Sequence, residues 1–102
     1  MLPKKRVPTH PGEMLQEEFL KPMGITQTAF AKHLGWSHAK INEIITGKRG
    51  VTPEAALSFA DALGTSAELW LNLQTDYDVQ IAQRNLGKAL DRIETANKPK
   101  AA

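Results

Sequence analysis

The chain has 102 residues, 41% of them hydrophobic and 24% charged, with no cysteine and a formal net charge of +2. This is the make-up of one ordinary globular domain. It excludes disulfides and thiolate metal sites, and no stretch approaches the roughly 18 consecutive apolar residues of a membrane span. A cytoplasmic protein is expected, because the basic cluster Lys4-Lys5-Arg6 leads into Val7-Pro8-Thr9-His10-Pro11 and not into the apolar run of a secretory signal.

Residues 1–9 read as a flexible basic arm, since Pro3 and Pro8 block a helix and the charges have no apolar partners. A first helix is predicted from Pro11, a residue suited to the first helical turn, with Leu15 and Phe19 stacked i,i+4 toward the core. Lys21-Pro22-Met23-Gly24 ends it. Thr26 reads as the N-cap of a second helix, Gln27 to Leu34, with Phe30, Ala31 and Leu34 inward and Gly35 as the stop.

Ser37 then caps a third helix, His38 to Thr46, whose inward stripe is Ile41, Ile44 and Ile45. Gly47 and Gly50 bracket a basic turn, Lys48-Arg49. Thr52-Pro53-Glu54 starts a fourth helix, with Ala56, Phe59, Ala60 and Leu63 spaced for burial and Gly64 closing it. Ser66 caps a fifth helix through Leu73, bearing Leu69, Trp70 and Leu73. A separate last helix is expected over 76–94, with Ile81, Leu86, Leu90 and Ile93 as an apolar stripe for a dimer or partner contact, and a flexible tail over 95–102. Residues 10–75 form the domain, and the fold class is all-α, a small bundle of five to six helices.

The charge is unevenly spread. Residues 26–50 are basic (Lys32, Lys40, Lys48 and Arg49 against Glu43), whereas 51–87 are acidic (Glu54, Asp61, Glu68, Asp76 and Asp78 against Arg84). The basic middle suits phosphate, and the acidic second half suits a basic protein partner or bulk water.

Within that basic middle, residues 26–45 meet the requirements of two short helices crossing at a tight turn. Ala31 gives the small residue at the crossing, Gly35, four residues on, the turn that tolerates positive φ, and Ile41 the branched lock, with Phe30, Leu34 and Trp36 filling the hinge. A helix-turn-helix places the outward face of the third helix in a major groove, its N-terminal residues deepest. The expected DNA-binding residues are Gln27, Ser37, His38, Ala39, Lys40, Asn42, Lys48 and Arg49. Asn42 suits a bidentate pair with adenine, Lys40 a guanine edge or phosphate, Ala39 a thymine methyl, and Gln27 a phosphate. Lys48 and Arg49 would grip the flanking backbone. Glu43 is read as solvated surface, and Trp36 and Trp70 as core.

Four segments carry a family resemblance: Thr9-His10-Pro11-Gly12-Glu13, Gly47-Lys48-Arg49-Gly50-Val51-Thr52-Pro53, Leu63-Gly64-Thr65-Ser66 and Trp70-Leu71-Asn72-Leu73-Gln74. Together they resemble the HigA-type antitoxins among the Xre-like helix-turn-helix proteins, over about residues 7–83. The resemblance implies a lambda-repressor-like fold, a homodimer on a palindromic operator that represses its own operon, and a second partner, a small basic mRNA-cleaving toxin of the HigB type. It also implies that Gln27 and the helix from Ser37 to Glu43 occupy DNA-contacting positions. His38 and Ala39 depart from the longer polar side chains common at those positions.

Other readings remain open from the residues alone. A stand-alone repressor without a toxin shares every feature of the DNA face, and a helical adaptor would leave that face unused. No enzyme is expected. The three histidines offer no i,i+4 pair with a carboxylate, although His33 and His38 straddle the turn as a conceivable metal pair. No phosphate loop occurs, and no cofactor, metal or catalytic residue is expected.

Overall fold

A computed structural model describes the backbone of residues 9–97 and the side chains of 9–87. Residues 1–8 of the arm expected over 1–9, the end of the expected tail at 98–102, and the side chains of Leu90 and Ile93 lie outside the described residues. Within them the chain is five helices with no strand.

Helix α1 (11–23) is α-helical at Pro11–Met14, widens to π geometry at Leu15–Leu20 and returns to α at Lys21–Met23. The widened turns lie just before Pro22, which has no N–H to continue the ladder and whose ring crowds the carbonyl one turn earlier. Helices α2 (Gln27–Leu34) and α3 (His38–Ile45) follow, then α4 (Pro53–Leu63) and α5 (Ala67–Asn97).

The starts are set by side chains that satisfy free backbone N–H groups. Thr26 Oγ1 accepts from Ala29 N at 3.0 Å, Ser37 Oγ from Lys40 N at 3.1 Å, Thr52 Oγ1 from Ala55 N at 3.2 Å and Ser66 Oγ from Leu69 N at 3.1 Å. These are the caps expected from the sequence. The cap of α1 is less ordinary: Nδ1 of the buried His10 accepts from Gly12 N at 2.9 Å.

One expectation is corrected. The fifth and last helices, expected as Ser66–Leu73 and 76–94, are one continuous helix of 31 residues, about 46 Å long. Gln74-Thr75-Asp76 contains neither Gly nor Pro, and Gln74 Nε2 donates to Asp78 Oδ1 at 2.9 Å, an i,i+4 link across the expected break. Of the expected stripe on this segment, Ile81 is half-buried and Leu86 is exposed.

The core is built on Phe59 and Trp70, both fully buried. Their rings meet edge-on at 5.2 Å, with Phe19 against Trp70 at 5.3 Å and Phe30 and Trp36 against Phe59 at 5.8 and 5.7 Å. Trp70 Nε1 donates to Thr65 Oγ1 at 2.8 Å, so burying the indole leaves no unpaired donor. Leu15, Leu20, Ala31, Ile41, Ile44, Val51, Ala55 and Ala56 complete this core. Trp36 departs from its expected core role: it is only half-buried, at the edge of the cluster.

Two close fits fix α3 on the body. Gly12 packs against the end of α3 so tightly that a Cβ would overlap the carbonyl of Ile44 and lie 2.8 Å from Ile45 Cα. Gln74 Oε1, from α5, accepts from Val51 N at 2.7 Å and so anchors the segment between α3 and α4.

Candidate nucleic-acid interface

The turn between α2 and α3 determines what α3 presents. Gly35 sits in the left-handed region at φ 75°, ψ 25°, its N–H donates to Lys32 O, and Trp36 N–H closes back on Ala31 O at 2.8 Å. Ile41 and Ile44 are completely buried, which turns the opposite side of α3 outward. Along that outer side His38 and Ala39 are exposed, and Asn42 and Glu43 are half-buried.

The structure brings Gln27 and Asn42 together: Asn42 Nδ2 donates to Gln27 Oε1 at 3.2 Å. The bond leaves the other amide hydrogen and the carbonyl of Asn42 for a base edge. Lys40 does not project freely. Its Nζ lies 3.9 Å from the centre of the Trp36 ring, held by the negative face of the indole. Ser37 is exposed, but its Oγ is engaged as the cap of α3, leaving the hydroxyl hydrogen for a phosphate.

Beyond α3 the chain folds back on Glu43. Lys48 N and Arg49 N both donate to the Glu43 carbonyl, at 2.8 and 3.1 Å. The side chains repeat the link: Arg49 Nε and Nη2 both reach Glu43 Oε1, at 2.9 and 2.6 Å. Arg49 is therefore held beside the outer face of α3, while Lys48 is exposed on the same turn.

Sequence reading missed two of these partners. Trp36 as a platform for Lys40 has a legible signal, an aromatic four residues before a cation. The Glu43–Arg49 pair has none, because it spans a turn whose path no spacing rule gives. His10 stands out in the sequence only within the Thr9–Glu13 segment and as a histidine with no i,i+4 partner. It packs edge-on against Tyr77 at 4.8 Å, and burial lowers its pKa from 6.5 against the raising influence of Asp78 and Glu13.

The whole arrangement can donate and accept hydrogen bonds along one convex helix face flanked by cations, and Gln27 supports it from the adjoining helix. A family described as a helix-turn-helix domain matches residues 13–72. Virulence-associated protein I of Dichelobacter nodosus is 47% identical over 76 residues, 74% of this chain and 70% of that protein. Antitoxin HigA-1 of Vibrio cholerae is 45% identical over the same coverage. Among solved structures, the antitoxin HigA of Pseudomonas aeruginosa with the higBA promoter superposes with a TM-score of 0.80 at 35% identity, over 83% of this chain and 92% of that one.

Proposed function

Because the chain belongs to the HigA-type antitoxins of the helix-turn-helix family, we propose that it is a DNA-binding antitoxin. In this reading it represses its own operon as a dimer and neutralises a HigB-type mRNA-cleaving toxin. The observation that carries the DNA half is the ordered outer face of α3, where Asn42 is braced by Gln27 and Arg49 stands at the helix end. Also in support, the relative in Pseudomonas aeruginosa was solved with a promoter. The toxin half rests on kinship with proteins named antitoxins.

The residues assigned to DNA are Gln27, Ser37, His38, Ala39, Lys40, Asn42, Lys48 and Arg49. His38 and Ala39 lie at the start of α3, where a recognition helix reaches deepest. Asn42 reads a base, and Lys40, Lys48 and Arg49 neutralise phosphates. We assign residues 10–75 to the DNA-binding unit and the distal part of α5 to subunit or partner contact. The protein works in the cytoplasm as a regulator without a catalytic centre. Among the described residues no helix is long and apolar enough to cross a membrane.

The test is twofold. The protein should retard the duplex upstream of its own gene, and co-expression should rescue growth arrested by a small basic protein encoded beside it. Retardation without any such neighbour supports a stand-alone repressor. Rescue without retardation supports a protein-binding module.

A further inference from the structure

We propose that Glu43 reads a cytosine in the operator, with Arg49 as the cation that lets a carboxylate enter the groove. The inference rests on the operator-binding reading and extends it to a residue that the sequence alone reads as solvated surface.

Glu43 follows Ala39 by one turn and so shares its side of α3, the side facing away from buried Ile41 and Ile44. If α3 lies in a major groove, Glu43 has no route out of it. A bare carboxylate there would face two walls of phosphate. The structure supplies the compensation: Arg49 is bound to Glu43 through main chain and side chain alike.

The pairing is also one-sided. Both guanidinium bonds fall on Oε1, and among the described residues Oε2 takes no side-chain hydrogen bond. Arg49 thus keeps three of its five N–H donors for phosphate, while Oε2 is oriented and unfilled. An ionised carboxylate only accepts, so its partner must be a donor. The donors on the major-groove edge are the exocyclic amines of cytosine and adenine. Adenine presents its N7 acceptor beside that amine, which repels a carboxylate; cytosine presents a C–H there. The small Ala39 side chain lets the helix approach closely enough for the contact.

The experiment selects binding sites from a random duplex pool with the wild type and the E43A, E43Q and R49A variants, each checked for wild-type helicity and melting. The wild type should enrich a site with a C·G pair at one position per half-site. E43A should relax discrimination at that pair alone by roughly tenfold. E43Q should move the preference there toward A·T, since a glutamine amide pairs with adenine. R49A should weaken every site and reduce the salt slope by about 0.9. If E43A retains the wild-type preference at every position, or loses affinity uniformly, the inference is overturned while operator binding stands. A wild type that enriches no sequence overturns the operator reading and this inference with it.

Discussion

Asn42, in the middle of α3, and Gln27, the first residue of α2, are joined side chain to side chain at 3.2 Å. The bond stabilises one rotamer of Asn42, which we propose reads a base, and couples it to Gln27, which we propose touches the DNA backbone. Pre-ordering of this kind reduces the conformational freedom lost on binding.

Gln27→Ala should therefore weaken operator binding even though Asn42 remains. Asn42→Ala should weaken it too, and the double variant should lose less than the two losses combined, by about 1 kcal/mol. Both side chains are only half-buried, so chemical denaturation should show changes within about 0.5 kcal/mol. Strictly additive binding losses would mean that the contact does not brace the readout.

Two glycines should respond differently to alanine. At Gly35 an added Cβ meets nothing within 4 Å, and the obstacle is the left-handed backbone, so Gly35→Ala should cost about 1–2 kcal/mol and Gly35→Asn less. At Gly12 the Cβ meets the backbone of Ile44 and Ile45. Gly12→Ala should cost about 3 kcal/mol or more, because backbone cannot step aside as a side chain can. Equal losses by urea unfolding would refute this division.

His10 gives the fold a pH dependence. Its Nδ1 must be unprotonated to accept from Gly12, and burial holds its pKa below 6.5 despite Asp78 and Glu13. The unfolded chain then takes up the proton more readily than the folded one. Stability is fully present above the unfolded pKa and is lost as pH falls through 6.5 and the folded value below it. Melting temperature should drop between pH 7.5 and 5.5. In His10→Asn, which still caps but does not titrate, that slope should flatten, although the contact with Tyr77 is lost. An unchanged slope in the variant would place the proton elsewhere.

Much of this architecture was legible because local chemistry dictated it. Thr26, Ser37 and Thr52 each sit where a helix lacks N–H partners, and each makes the expected cap. Most of the segments that carried the family resemblance hold the fold together, and Gly47–Pro53 joins buried Val51 to the exposed Lys48 and Arg49. His10 and Gly12 seat α1 against α3, and Trp70 and Gln74 bind α5 to the core and to Val51. What escaped was set by tertiary geometry. The contact between Gln27 and Asn42 spans 15 positions and two helices, and that between Glu43 and Arg49 crosses a turn. The merging of two expected helices into α5 depended on the absence of a breaker, a weaker signal than the presence of one.

Whether the outer face of α3 reads DNA is measured most directly by fluorescence anisotropy against the duplex upstream of the gene and a scrambled duplex, over a range of salt. The wild type should prefer its own duplex by about 1,000-fold or more. Lys40→Ala should weaken binding to both and reduce the salt slope by about 0.9, whereas Asn42→Ala should erode chiefly the preference. Equal affinity of the wild type for the two duplexes, or unaltered binding by both variants, would mean that this face of α3 does not read DNA.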